Sequence, residues 1–363
     1  MKKVLAVGIG RVGFRTMLFL RELIRDLHVY AVDADPARLE QAKMLEGVDV
    51  YRYEPGLLGK LGKEVDLAVT ALPSTVAFRG VLELATRCVN IVDVSFFAED
   101  PYTLEKIVED CGSVLVVDAG FAPGYSNLVV GYTYHRLKLN ESIEIAVGGI
   151  PEKPVPPLGY VVTWNPRDLL EEYTRPARYV ANYEVKTAKP VEAVEKVYIK
   201  ELGVFEGFVS DGLRTMLRNI RAKNMRELTI RWSGHMSAIK LLHDLGFLDS
   251  TEVEVNGVRI KPIDFTAKVL EKSLVASVND IAVLQVVARG EKGYYREFAL
   301  LSGTPSEPAT PVFTAIVHSY TAKIALENRL KPGVIPLEQM YMFKNEYEEY
   351  LTRKGVFIVK EQI

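Results

Sequence analysis

The sequence predicts an α/β chain, with a doubly wound parallel sheet at the N-terminus and a second α+β domain built on a mixed or antiparallel sheet. Three observations predict this. In the first third, short continuous apolar runs alternate with helical patterns, as do strands buried on both faces and the helices that cover them. A glycine-rich turn, Gly8-Ile9-Gly10-Arg11-Val12-Gly13, stands between the first apolar run and the first helical pattern. After about Gly124 the rhythm changes to alternating apolar and polar residues, the pattern of half-exposed antiparallel strands.

Taken in order, residues 3–7 read as the first strand and 11–25 as the first helix, with Phe14, Leu18 and Ile24 among its apolar positions. Residues 28–32 form a second strand and 36–46 a polar helix. Further strands are expected at 48–51, 65–71, 89–94 and 113–117, with helices at 75–87 and 101–110 between the later ones. Beyond them come helices at 125–137 and 166–172 and strands at 143–147, 194–199, 253–255, 281–288 and 294–300. A turn-rich stretch, 302–311, precedes a strong helix at 313–327 that is expected to pack back onto the first domain. Residues 339–353 carry Met340, Tyr341, Met342, Phe343, Tyr347 and Tyr350 on a helical pattern, read either as a terminal helix on its own domain or as an arm exchanged between subunits. The expected domains are 1–123, completed by about 311–363, and 124–310.

Composition narrows the function classes. The formal charge is −2, from 45 basic and 47 acidic residues finely mixed, so neither a nucleic-acid groove nor an anionic membrane surface is expected. No stretch approaches the run of about 20 apolar residues that a membrane span needs. The start reads as a buried strand and not as a signal peptide, because Arg11, Arg15 and the glycines break the apolar run; a cytoplasmic protein is expected. Cys88 and Cys111 each precede an apolar run and are expected as reduced, half-buried thiols, with a disulfide as the alternative. The five histidines and the carboxylates lack zinc-ligand spacing, and no metal is expected.

The glycine turn carries the cofactor expectation. A strand before it, a helix after it and an acidic residue ending the second strand make it the dinucleotide fingerprint of a Rossmann domain. Gly8 permits the tight turn, Gly10 lets backbone approach a pyrophosphate, and Gly13 allows close helix–strand packing. Ile9, Arg11 and Val12 complete the turn. Asp33, 20 residues after Gly13, would accept from both ribose hydroxyls, with Ala34 beside it. Because Ala34, Asp35 and Pro36 follow without an arginine, although Arg38 is near, NAD is expected over NADP.

Ligands of open parallel sheets gather outside the carboxyl ends of the strands. Three turns follow such ends: Ala71-Leu72-Pro73-Ser74, Asp93-Val94-Ser95-Phe96, and Asp118 to Gly124 with Gly120 inside it. Asp93 and Asp118 are each candidates to position or deprotonate an amine, or else to cap the turn that follows.

Longer motifs resemble the saccharopine dehydrogenase and lysine 6-dehydrogenase superfamily. They are Asp118-Ala-Gly-Phe-Ala-Pro-Gly-Tyr-Ser-Asn127, Gly148-Gly-Ile-Pro151, Tyr160-Val-Val-Thr-Trp-Asn-Pro-Arg-Asp168, Glu171-Glu-Tyr-Thr-Arg-Pro-Ala-Arg178, Phe208-Val-Ser-Asp-Gly-Leu-Arg214, Leu228-Thr-Ile-Arg-Trp-Ser-Gly-His235, Leu242-His-Asp-Leu-Gly-Phe247 and Gly333-Val-Ile-Pro336. Ala122, between Phe121 and Pro123, resembles the lysine 6-dehydrogenase branch; Trp232-Ser233 departs from that branch's Tyr-Pro. The resemblance implies a small-molecule amino-acid substrate, a homodimer or larger homo-oligomer, and a pocket between the domains. It implies that Arg231 forks an α-carboxylate, that His235 holds an amine or moves a proton, and that Trp164 and Arg178 lie nearby. The expected activity is NAD-dependent oxidation of an amine-bearing carbon, with lysine ε-deamination first. A saccharopine-type or carboxynorspermidine-type dehydrogenase, or a dinucleotide-binding protein without turnover, are the alternatives.

Overall fold

The six apolar runs of the first third form the strands Lys2–Val7 (β1), Leu27–Asp33 (β2), Val48–Arg52 (β3), Leu67–Thr70 (β4), Ile91–Asp93 (β5) and Val114–Val117 (β6). The computed structural model describes residues 1–162 and 166–363. All six strands pair in parallel, and β4–β6 are almost wholly buried, which is why they read as continuous apolar runs and not as alternating ones. After β3 the chain returns to place β4 on the other side of β1. This reversal opens a crevice at the carboxyl ends of β1 and β4.

The later strands are Ser142–Pro151 (β7), Ala177–Ala181 (β8), Glu184–Ala188 (β9), Val194–Ile199 (β10), Gly203–Ser210 (β11), Asn224–Arg231 (β12), Val253–Val255 (β13), Val258–Ile260 (β14), Asp280–Gly290 (β15), Gly293–Ser302 (β16), Gly333–Pro336 (β17) and Phe357–Gln362 (β18). Two compact units result: Met1–Gly131 with Pro311–Lys354, and Tyr132–Thr310 with Gly355–Ile363.

In the first unit, β17 joins the sheet beside β6, giving the order β17-β6-β5-β4-β1-β2-β3 among the described residues. The helix Ala309–Leu326 is stitched to the sheet by His318, whose Nε2 donates to the Val92 carbonyl at 3.0 Å while Nδ1 lies 3.2 Å from the Thr16 hydroxyl. Residues 339–353, left open between two readings, fold within this unit as a 3-10 turn and the helix Lys344–Arg353, with Tyr347, Tyr350 and Leu351 buried. A disulfide joins Cys88 and Cys111, correcting the expectation of reduced thiols. They meet because each precedes one of two adjacent strands, β5 and β6.

The second unit is mixed and not purely antiparallel. Its main path runs β10-β11-β12-β7-β15-β16-β18; β7 and β12 pair in parallel, and the other neighbours on that path are antiparallel. The helices Pro166–Thr174, His235–Asp244 and Pro262–Ser273 bury Leu169, Leu170, Met236, Ile239, Ile263 and Leu270 in one cluster with Phe205, Phe208, Ile230 and Phe298 of the sheet. Strand β18 corrects the expected boundary at residue 363. It pairs with β16, Phe298 opposite Val359, so the last nine residues belong to the second unit. The sheet coils until its ends meet: Glu201, in the β10–β11 turn, is paired with Arg296 of β16, and Lys200 donates to Glu361 of β18 at 2.8 Å.

Candidate active site

The chain leaves β1 through Gly8, whose φ is +80°. A Cβ there would stand 2.4 Å from the Ala71 carbonyl oxygen, and one on Gly13 would stand 1.9 Å from the Gly8 carbonyl oxygen. Neither position has room for a side chain. Gly10 differs, because the atoms its Cβ would meet belong to the Arg38 guanidinium, the nearest at 3.3 Å. The helix Arg11–Leu23 starts at Gly10, and its first N–H groups face outward from the turn as an anion cradle. Arg11 is exposed and Val12 partly so.

Asp33, at the end of β2, is held by backbone. Its Oδ2 accepts the Ile9 N–H at 2.8 Å and its Oδ1 accepts the Asp35 N–H at 2.9 Å. Oδ2 also takes a long contact from Arg38 Nη1 at 3.5 Å, and Oδ1 keeps a lone pair for a further donor. Ala34 is exposed next to it. A glycine turn with no room for Cβ atoms, a helix N-terminus and a fixed carboxylate fit a dinucleotide: pyrophosphate at Gly10, ribose at Asp33.

The strand ends beyond carry a buried polar network. Asp93 is 0% exposed. It accepts from the Thr70 hydroxyl, from Ser95 Oγ at 2.8 Å and from the Ser95 N–H at 3.1 Å, and Ser95 Oγ in turn accepts the Leu72 N–H at 2.9 Å. The turns 71–74 and 93–96 are therefore bolted to each other through one carboxylate. Burial pushes Asp93 up to about 7, and the nearby Asp118 charge adds to it. Asp118 is buried with a φ of +52°, a conformation that Asp tolerates better than most residues. In the following loop a Cβ on Gly124 would stand 1.9 Å from the Gly120 carbonyl oxygen, so this turn closes on itself. Leu72 and Ala71 are half-buried and Pro73 is exposed at the crevice.

In the second unit a relay of side chains spans the end of β12 and two helices. Arg231 is 2% exposed; its Nη2 donates to Glu172 at 2.8 Å, its Nε to the Tyr173 hydroxyl at 3.3 Å and its Nη1 to the Ile230 carbonyl at 3.0 Å. The guanidinium also lies 4.8 Å from the Tyr160 ring centroid. The Tyr173 hydroxyl lies 2.8 Å from His235 Nε2, and His235 Nδ1 lies 2.8 Å from the Leu158 carbonyl. A carbonyl only accepts, so Nδ1 carries the proton and Nε2 accepts from Tyr173. Burial, with the Arg231 charge beside it, lowers His235 to about 3, and the ring is neutral. Burial also pushes the Tyr173 phenol above its ordinary range.

These contacts revise two expectations. Arg231 does not present an open fork, since Glu172 already supplies a carboxylate to it; only the Glu172 side chain, 31% exposed, reaches solvent in this pair. Arg178 is not brought to Arg231. It forms a two-pronged pair with Asp211, at 2.8 and 2.9 Å, because β8 meets β12 at Asn224 and Met225, the far end from Arg231. Trp164 lies outside the described residues. Sequence reasoning passed over Glu172, Tyr173 and Tyr160 as site residues. Tyr173 carries a signal: it follows Leu169 at helical spacing, so its ring is buried and its hydroxyl needs a partner.

The parallel sheet with its glycine cradle defines a Rossmann-type unit, to which the chain adds a second, mixed-sheet unit. Residues 120–355 match the saccharopine dehydrogenase C-terminal domain family, and the chain belongs to it. It is 28% identical over 199 residues to the mitochondrial alpha-aminoadipic semialdehyde synthase of Bos taurus, covering 52% of this chain and 21% of that protein. It is 24% identical over 238 residues to the saccharopine dehydrogenase [NADP(+), L-glutamate-forming] of Pyricularia oryzae, covering 60% of this chain and 50% of that one. The chain thus matches half or less of the length of these relatives. Its fold matches apo saccharopine dehydrogenase (L-Glu forming) from Saccharomyces cerevisiae over the whole of both chains, with a TM-score of 0.81 at 17% identity.

Proposed function

We propose that the protein is an NAD-dependent amino-acid dehydrogenase that oxidises an amine-bearing carbon, with the ε-amine of lysine as first substrate. The observation that carries the reading is the Gly8–Gly13 cradle with Asp33 behind it, in a chain of the saccharopine dehydrogenase family. Asp33 favours NAD, since a carboxylate accepts from ribose hydroxyls and repels a 2′-phosphate. The bound nicotinamide would accept the hydride. The substrate carbon loses that hydride, its neutral nitrogen forms the C=N bond and releases a proton, and water then yields the aldehyde and ammonia. Lysine amines have a pKa near 10.4, so the site must desolvate or deprotonate the nitrogen first. Asp118, at the carboxyl end of β6, is the carboxylate for that step, while Asp93, fully buried and accepting from Thr70 and Ser95, holds the turns beside it.

A saccharopine-type reaction on a secondary amine is the second reading, favoured by the names of the relatives. NADH formation, followed by absorbance with lysine, ornithine, saccharopine and carboxynorspermidine at neutral and alkaline pH, separates them. Turnover on lysine with ammonia released supports the first. Turnover only on a conjugate moves the substrate to the second, and no turnover despite NAD binding defeats both.

A further inference from the structure

We propose that Glu172 is the specificity residue of the second unit: its outer oxygen takes an alkylammonium end of the substrate and gives a carboxylate end no partner. This deepens the amino-acid dehydrogenase reading above and rests on it. The cation of the relay is closed to a ligand. Arg231 donates through Nη2 to Glu172, through Nε to Tyr173 and through Nη1 to the Ile230 carbonyl. The rings of Tyr160 and Phe208 lie 4.8 and 5.7 Å from the guanidinium carbon, and the Arg231 side chain is 3% exposed. A second carboxylate has no approach to it.

Glu172 is placed differently. Its Oε2 accepts from Arg231, and among the described residues its Oε1 accepts no hydrogen bond. Arg231, Tyr173, His235 and Tyr160 are buried, so the edge of the relay that reaches solvent is an acceptor. Arg175, whose charge also acts on Glu172, is bound to Glu171 at 2.9 Å, and Asp168 stands one helical turn before Glu172 with like charge. Burial raises the Glu172 carboxyl while the Arg231 guanidinium pulls it back, and an ammonium at Oε1 would hold it ionised as well. Because the Glu172–Arg231 pair is itself neutral, selection here is by hydrogen-bond direction. An ammonium donates three hydrogen bonds and a carboxylate none, and the bond to an ionised acceptor is the stronger kind.

Calorimetric titration of the full chain, saturated with NADH, tests this without turnover. The probes are cadaverine, a diamine, and glutarate, a dicarboxylate of the same chain length. Cadaverine is expected to bind at least about tenfold more tightly than glutarate, the worth of one charge-assisted hydrogen bond. Glu172→Gln keeps an oxygen for Arg231 and turns an NH2 outward, so the cadaverine/glutarate affinity ratio should fall about tenfold or more. Glu172→Asp should restore part of the ratio. Glutarate binding as tightly as cadaverine to the unaltered chain, binding of neither probe, or a ratio unmoved by Glu172→Gln overturns the assignment and leaves NADH binding in place. A chain that fails to bind NADH defeats the dehydrogenase reading as well.

Discussion

The hydroxyl of Tyr173 stands 2.8 Å from Nε2 of His235 and 3.3 Å from Nε of Arg231, so one phenol joins two of the residues that the family resemblance singles out. It donates to the imidazole and accepts from the guanidinium. All three groups are buried, so the phenol's place is not open to bulk solvent.

Tyr173→Phe therefore leaves an imidazole nitrogen and a guanidinium N–H without their partner. The expected loss is about 1–3 kcal/mol of stability, the cost of buried polar groups left unmatched, read as a lower urea midpoint at unchanged slope. An unchanged midpoint would mean that the phenol does not bridge the pair.

The glycine turn gives a paired test. Gly13→Ala drives a methyl group onto the Gly8 carbonyl and should weaken both NADH binding and stability. Gly10→Ala meets only the end of the Arg38 side chain, which can move, so the fold should survive while pyrophosphate approach is blocked. Fluorescence titration with NADH and a thermal melt on each variant separate the two roles. Equal melts for both variants would contradict the packing.

Much of the first unit was legible because parallel strands buried on both faces leave unbroken apolar runs, and because a dinucleotide turn needs glycine where Cβ atoms collide. Strand β17 escaped notice as a strand because Gly333–Pro336 places only Val334 and Ile335 between a glycine and a proline, two residue types depleted in strands. The segments of β11 and β12 do not read as strands, since Gly207 and the charged Glu206, Arg226 and Glu227 interrupt their alternation. The Glu172–Arg231 pair was illegible for another reason: 59 residues separate its members, and nothing local in either segment names the other. The Cys88–Cys111 link was read as unpaired thiols from compartment statistics, whereas sheet order decides which residues meet.

Reduction of that link should lower stability. It closes a loop across 23 positions, and constraining a loop of this size in the unfolded chain is worth about 3 kcal/mol. The thermal midpoint of the oxidised protein should fall on treatment with a reductant, while Cys88→Ser shows the lower midpoint in either condition. A reductant effect that persists in Cys88→Ser would locate it elsewhere.

Acid should destabilise the fold through its buried histidines, and a buried aspartate should oppose them. Burial lowers His318 to about 4 and His235 to about 3, while both would titrate near 6.5 once unfolded. Between about 6.5 and 4 the unfolded chain binds protons that the folded chain refuses, so their stabilisation is complete above 6.5 and drains away as pH falls. Asp93 runs the other way: raised to about 7, it stays protonated in the folded chain after the unfolded chain has ionised, and its contribution declines as pH rises from about 4 through 7. Across that window each histidine adds up to one proton to the pH dependence and Asp93 subtracts one. Urea unfolding at pH 7, 6 and 5 measures the sum. His318→Gln, whose amide can still donate to the Val92 carbonyl, should flatten the decline by up to one proton's worth, roughly 1.4 kcal/mol per pH unit. Asp93→Asn should steepen it by a similar amount. A decline unaltered by His318→Gln would show that His318 titrates alike in both states, and that the helix Ala309–Leu326 is not held to the sheet by a neutral imidazole.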